Sequence, residues 1–364
     1  MLVLAIFAIA AGPAWAGGDS APSWGDNPKL GPFEQLLAKP IAEAADPFAS
    51  PTRVVTFHID AQRHPAPLKE AAPKPKAKPK ARNQPRPRAH RLPRATPSFY
   101  VHYTADSVMR DRGCRAGTNR AFGIVILAFG KPYYNGHSYG TLLFSHRFAS
   151  NEEITRAMKT FARAYADCLP EDARAHIVLA RGTSNYFTWI PSHYKAGWKW
   201  ARETVVFARW LRKEGLTDRV TSAAADDAEP AWNPSFHRTR DFFKGYRDYG
   251  AGHLLYNYGS LDGGVGKIWN ARQVYYVSGG MKYARMIPEI YYPVMARQWA
   301  HMSHVAVELY GKPIRFAGVM TQHAALCGCG FKPKEAHQAL VLALREHPKT
   351  WVRRLPAITN IKWD

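Results

Sequence analysis

From about Ser98 to Pro348 the chain keeps repeating one pattern: a short apolar run bounded by glycine, proline or polar residues, then a longer stretch with apolar residues at helical spacing. A lone strand followed by a helix rejoins its sheet through a parallel crossover. Strands are expected at 124–130 (IVILAFG), 176–180 (HIVLA), 220–225 (VTSAAA), 253–258 (HLLYNY), 273–278 (QVYYVS), 298–303 (QWAHMS) and 314–321, with a weaker one at 288–292. Helices are expected from Asn151 to about Cys168, with Glu152 and Glu153 in the first turn, from about Ser192 to Gly215, and near Thr239 to Tyr249. No hairpin is placed among them. About eight strands over about 250 residues is the size of an α/β fold of the (β/α)8 TIM-like barrel type, with an irregular second half because its gaps are short. A doubly wound open sheet is the alternative. Neither G-x-G-x-x-G nor G-x-x-x-x-G-K-[ST] follows a strand, which argues against the usual dinucleotide and nucleotide enzymes.

The most informative stretch is VTSAAADDAEPAWNPSF, Val220 to Phe236. Small residues run through a buried strand and end on acids. Extended backbone alternates its faces, so Asp227 and Glu229 project to one side and Asp226 to the other. In parallel α/β folds the carboxyl ends of strands carry the active site. A short D-x-E also serves plain purposes, such as capping a helix or pairing with an arginine. The other strand ends expected beside it contribute Lys131, Tyr133, Arg181, Asn185, Asn257, Tyr258, Asp262, Tyr275, Tyr276, Ser278, Glu289, Gln298, Trp299 and Gln322, with Trp232 just beyond the acids. This aromatic, amide-rich rim suits sugar rings, although any one buried tyrosine or tryptophan is ordinarily core.

Outside the barrel the composition changes. The opening MLVLAIFAIAAGPAWA ends in Ala14-Trp15-Ala16 and reads as a signal peptide, residues 1–16, too short to span a bilayer; an uncleaved anchor is the alternative. Residues 17–97 are expected to be largely disordered, apart from a possible short helix near 32–45 and a possible strand near 53–59. Between Arg63 and Arg94 eleven bases face Glu70 alone, interleaved with prolines, a large share of the net +22. Such a linker is drawn to anionic envelope polymers. It lacks the aromatics that stack on bases, and export removes most nucleic acid from reach, so nucleic acid is not the expected partner. Residues 349–364 are expected as a C-terminal tail, and the mature chain should contain no transmembrane span. The even cysteine count suits an oxidising compartment. Cys327 and Cys329 flank Gly328 too tightly to pair with each other, so bridges from one of them to Cys114 or Cys168 are expected. His323 beside the C-x-C is a weak metal signal without a second ligand cluster, and neither metal nor cofactor is expected.

The segments CRAGTNRAFGIVILAFGKPYYNGHSYGTLLF, LARGTSNYF, AADDAEPAWN, LLYNYGSLDG, QVYYVSGG, MIPEIYY, ARQWAHMS and FAGVMTQ together resemble an uncharacterised secreted barrel domain of actinobacteria, which is itself similar to glycoside hydrolase-like TIM barrels including family-25 lysozymes. The resemblance covers about Arg112 to Gln322 and implies a barrel at 98–348 in a secreted or cell-envelope setting. It departs at Ala128, where the related first strand carries an aspartate. Losing that charge removes support for a catalytic carboxylate.

Two functions follow as expectations. The first is a glycoside hydrolase acting on cell-wall glycan such as peptidoglycan, with Glu229 as the acid desolvated by Trp232 and Asp227 kept ionised beside Arg181 or Tyr258. Asp226, Arg181, Asn185, Trp232, Asn257, Tyr258, Tyr276, Glu289, Gln298, Trp299 and Gln322 would then bind substrate. The second is a non-catalytic glycan-binding barrel anchored by the basic linker. A barrel whose rim does nothing specific stands behind both, because this fold hosts many chemistries.

Overall fold

In a computed structural model, which describes residues 92–262, 264–323 and 330–363, the strands in chain order are β1 (Ala95–Tyr100), β2 (Gly123–Ala128), β3 (Lys131–Tyr134), β4 (Tyr139–Leu142), β5 (Phe148–Ser150), β6 (Ile177–Ser184), β7 (Val220–Asp227), β8 (Leu255–Asn257), β9 (Ala284–Met286), β10 (Gly318–Gln322) and β11 (Ala357–Lys362). The helices are α1 (Asp106–Thr118), α2 (Asn151–Asp167), α3 (His193–Lys213), α4 (Phe236–Tyr249), α5 (Ala271–Tyr275), α6 (Pro293–Tyr310) and α7 (Pro333–Arg345), and a π-turn (Tyr276–Gly280) continues α5. The signal peptide, nearly all of the basic linker and the C-x-C lie outside the described residues.

Eight strands form one parallel sheet in the order β10-β11-β1-β2-β6-β7-β8-β9. Its two edges meet: Met286 bridges Phe316 and Glu289 bridges Met320, both in parallel, so the sheet closes into a TIM-like barrel. Alternation along each strand sorts the core into two layers. Ile124, Ile126 and Ala128 of β2 join Ala180, Ala223, Ala225, Tyr256 and Tyr258 inside the barrel. Val125, Leu127, Leu179 and Ala224 face the helices instead. The interior is narrow where β2, β6 and β7 run past one another. A Cβ on Gly182 would lie 2.8 Å from Ile126 Cγ2 and 3.0 Å from Ala128 Cα, so only glycine fits there.

Several helices start where their sequences say. Ser150 caps α2 by accepting the Glu153 N–H at 3.1 Å, and Ser192 caps α3 by accepting that of Lys195 at 3.2 Å. Four expectations are corrected. The run 273–278 is α5 and the π-turn, because Asn270 and Gln273 exchange side-chain bonds in a capping box that starts a helix. The run 298–303 lies inside α6, which begins with Pro293 at its first turn and ends at Gly311 with φ +69°. Near residue 288 the strand is β9, and only Glu289 of 288–292 bridges its neighbour. Asn135-Gly136 turns a hairpin between β3 and β4, with Gly136 at φ +93°.

The barrel also extends past the expected boundary at 348. β11 pairs with both β1 and β10, so residues 349–364 are no tail. Cys114 of α1 and Cys168 at the end of α2 form a disulfide, with Cα atoms 5.0 Å apart, which replaces the expected bridge to Cys327 or Cys329. No helix among the described residues is long and apolar enough to cross a membrane.

Candidate active site

Strand β7 delivers the first acid. Asp227 is in phase with Ala223 and Ala225, so it turns inward one layer above them, level with Ser184 of β6. Asp226 is in phase with Ala224 and turns to the helix side, fully buried, with neither carboxyl oxygen hydrogen-bonded. Glu229 follows in the loop, and Glu289 arrives from the segment after β9. Two backbone bonds, Met320 to the carbonyl of Pro288 and Ile290 to that of Met320, each 2.9 Å, fix Glu289 beside the inward-facing Met320. Carboxylate oxygens of Asp227, Glu229 and Glu289 all lie within 4.8 Å of one another. The three residues are only 5, 8 and 6 % exposed.

Amides and a serine hold this cluster in place. The Asn185 side chain donates to the Glu229 carbonyl at 2.8 Å and accepts from the Glu229 N–H at 3.1 Å. Asn257 Oδ1 accepts from the N–H groups of Ala228 (3.3 Å) and Gly259 (3.0 Å), tying the β7 and β8 loops together. Gly259 approaches so closely that a Cβ there would sit 2.8 Å from the Ala228 carbonyl oxygen. Ser260 donates its backbone N–H to Glu229 Oε1 at 3.0 Å. Asp262 accepts from Ala231 N–H at 2.7 Å and from the Ser260 hydroxyl at 3.0 Å. Asp227 Oδ1 is buried without a hydrogen-bond partner.

The electrostatics follow from burial and like charge. Burial pushes Glu229 up to about 7, with Asp262 adding to the rise and the bonds from Ser260 opposing it. Asp227 is raised well above the usual carboxylate range by burial, then by Glu289 and Glu229. Glu289 is raised by burial and by Glu229, against a hydrogen bond with Tyr291. Among the described residues, no lysine or arginine is a leading cause opposing these shifts. Three carboxylates this close cannot all ionise near neutrality, so protons stay among them. The same all-oxygen donor set is of the kind a hard divalent cation takes.

Aromatic side chains surround the acids. The hydroxyls of Tyr100, Tyr258 and Tyr291 are raised by burial and by the nearby carboxylates. Tyr258 donates to the Thr183 carbonyl at 3.0 Å, and Gln322 Nε2 donates to the Tyr100 hydroxyl at 3.4 Å. Trp363, just beyond β11, packs on Tyr100 with ring centroids 4.5 Å apart, and Phe144 closes on both. Farther out on the same barrel face, the β3–β4 hairpin and the segment after β6 line a groove of about 500 Å³ with Tyr133, Tyr134 and Trp189. Trp189 is 81 % exposed and held at φ +53°, a conformation bulky residues avoid.

The structure thus gathers Asp227, Glu229, Glu289, Tyr258 and Gln322 in one buried cluster at the carboxyl end of the strands and moves other expected site residues away. Asn185 and Asn257 are buried clamps for the loops that carry the acids. Asp226 faces the helices. Arg181 also points outward, its guanidinium 3.9 Å from the Trp200 ring centre and bonded to Asn151 and Thr155, with Glu203 the opposing charge that acts on it most; it cannot hold Asp227 ionised. Trp299 is buried core on α6 against Phe316, and Gln298 is half-buried on the same helix. Tyr276 sits in the π-turn against Phe236. Trp232 is half-buried, edge-on to Tyr186 at 6.4 Å, and Lys131 lies 5.0 Å over the Tyr186 ring. Tyr100, Tyr291 and Trp363 were not among the expected residues. Tyr100 ends the first strand and Trp363 follows the last, two strands that sequence periodicity did not reveal.

No protein-family model and no curated protein sequence matches the chain. Among solved structures it is similar to the endo-β-1,4-mannanase from Thermotoga petrophila, at 8 % identity and TM-score 0.40 over 75 % of this chain and 67 % of that one. It is also similar to the ICChI chitinase from Ipomoea carnea, at 9 % identity and TM-score 0.36 over 74 % and 94 %. The fructose-bisphosphate aldolase from Campylobacter jejuni matches comparably, at 13 % identity and TM-score 0.37 over 74 % and 70 %. Likeness at this level transfers no activity to the chain.

Proposed function

We propose that the protein is a glycoside hydrolase acting on cell-wall glycan, peptidoglycan or a related polysaccharide, in a secreted or envelope-associated setting. The observation that carries this reading is the buried trio Asp227, Glu229 and Glu289, with oxygens within 4.8 Å of one another, at the carboxyl end of the barrel strands. Glu229, with its carboxyl raised to about 7, is the proton donor to the glycosidic oxygen. Asp227, whose Oδ1 has no hydrogen-bond partner, attacks the sugar carbon in the state in which its proton has passed to a neighbouring carboxyl of the trio. Glu289 shares the remaining proton and keeps the total charge low.

In the first step the Asp227 oxygen bonds to the anomeric carbon as the glycosidic bond breaks, and the leaving oxygen takes the Glu229 proton. In the second, the Glu229 carboxylate takes a proton from water, whose oxygen displaces Asp227. A separation under about 5.5 Å suits this retaining route and leaves no room for the water of an inverting one. The disulfide supports an oxidising compartment. The outer Trp189 platform, with Tyr133 and Tyr134, offers faces for sugar rings.

The second reading, a glycan-binding barrel without chemistry, is favoured by Ala128, which is buried inside the barrel where the resembling domain keeps an acid. Incubation with purified peptidoglycan separates the two: loss of turbidity with new reducing ends formed first in the retained anomer supports the hydrolase. Co-sedimentation without product supports the binding module.

A further inference from the structure

The opposite end of the barrel carries a second feature. The loops that enter β9 and β10, rather than the segments that leave them, line a cavity of about 140 Å³. Four bases converge on it: Lys282 and Arg285 from the first loop and strand, and Lys312 and Arg315 from the segment after α6. Gly279 and Gly280 of the π-turn form part of its wall and bring no side chain into the space. No carboxylate lines the cavity, and none of the four bases forms an ion pair among the described residues.

The four bases are not spent on structure either. Arg285 donates one Nη1 bond to the Ala284 carbonyl at 2.7 Å, and Lys282 lies 5.3 Å over the Tyr283 ring. Arg315 and Lys312 make no side-chain hydrogen bond among the described residues. Burial and the neighbouring Arg315 both lower Arg285 from its ordinary value, with Tyr256 opposing them. Gathering four cations in a concave site without an acid is unfavourable unless an anion occupies it, and guanidinium forks match the oxygens of phosphoryl groups.

We infer that this basal cavity is a binding site for a phosphoryl group, lined by Lys282, Arg285, Lys312 and Arg315 on the barrel face opposite the carboxylate trio. The site does not depend on the proposed hydrolysis. Its ligand is a phosphate ester, either on a small molecule, along a phosphodiester polymer or on a lipid headgroup.

The test is calorimetric titration of the full-length protein with inorganic phosphate at low salt. A glycerol-phosphate polymer and phosphatidylglycerol vesicles, each titrated separately, identify the source. Because the whole chain is strongly basic, a charge-matched control is needed, Lys195→Gln with Lys334→Gln, both on exposed helix positions. Arg285→Gln with Arg315→Gln should weaken phosphate binding about tenfold or more, the loss of charge-assisted bonds, while the control stays within about twofold. Lys282→Gln with Lys312→Gln gives the same reading from loop positions if the arginine pair disturbs folding. Pocket-dependent binding that is tightest for the polymer assigns a polymer, and binding to vesicles lost in the pocket variants assigns a headgroup. Equal weakening in pocket and control variants, or no phosphate binding by the wild type, overturns the inference.

Discussion

The side-chain amide of Asn185 grips the backbone of Glu229 from both sides, donating to its carbonyl at 2.8 Å and accepting from its N–H at 3.1 Å. This residue from the end of β6 therefore sets where the carboxyl of a loop on β7 stands. Replacement by alanine strands two buried backbone groups, at a cost of about 1–3 kcal/mol each at most. Asn185→Ala should melt several degrees lower, and kcat on glycan should fall about a hundredfold while KM changes little, as expected when an acid is misplaced by an ångström. Melting curves and steady-state kinetics on the same preparation check both.

The pH dependence of catalysis follows from Glu229. With its carboxyl raised to about 7, it is protonated and able to donate below that value, and loses its proton above it. The ratio kcat/KM should thus decline by about tenfold per pH unit once pH passes about 7. The acid side requires one ionised carboxylate in the Asp227–Glu289 pair. Because both are raised well above the ordinary carboxylate range, their ionisation overlaps that of Glu229, and the bell should be narrow with a low maximum. A kcat/KM profile flat from pH 5 to pH 9 would contradict the assignment of Glu229.

Stability should respond to Asp226 in a separate way. Burial raises its carboxyl from 3.8 to about 8, and it has no hydrogen-bond partner. The folded state thus binds a proton that the unfolded state gives up above pH 3.8. The stabilisation tied to that proton is complete below 3.8 and is lost as pH rises towards 8, at about 1.4 kcal/mol per unit. Asp226→Asn removes the dependence, so its melting temperature should overtake that of the wild type between pH 5 and pH 8. Parallel melting curves across that range would show the carboxyl to be otherwise satisfied.

Trp189 tests whether the outer groove takes part. It is 81 % exposed beside Tyr133 and Tyr134 and packs on no other ring among the described residues, so its removal should leave folding intact. Trp189→Ala is expected to raise KM for polymeric glycan roughly fivefold to tenfold, the worth of one stacking contact, with kcat nearly unchanged. An unchanged KM on long chains would remove the groove from the substrate path.

Much of the first half of the barrel was legible in the sequence. The strand at IVILAFG and the strand ending in Asp226-Asp227 are unbroken runs of apolar or small residues, and the helix capped by Ser150 has clear helical spacing, so each could be read alone. The second half was not. QVYYVS and QWAHMS carry the aromatic and β-branched residues of strands, yet a capping box at Asn270 and the Pro293–Gly311 pair of helix ends outweigh side-chain preference. β9 has three residues, too few for any period to show. The D-x-E pair was visible because alternation along β7 fixes which acid faces inward. Arg181 was expected in a loop after a strand ending at Ala180, but β6 runs on to Ser184, and alternation along it sets Arg181 in phase with Leu179 on the helix side. The clustering of Glu289 with Asp227 depends on closure of the barrel between β9 and β10, a contact no local pattern encodes.

The most direct measurement is the initial rate of reducing-end release from purified peptidoglycan by the full-length protein, with and without a chelator, beside Asp227→Asn and Glu229→Gln. The wild type should release reducing ends equally in both conditions, and each variant should be slower by about a thousandfold while still folded. Release by the variants at the wild-type rate, or wild-type activity that vanishes with the chelator, would contradict a hydrolytic centre built on these carboxylates alone.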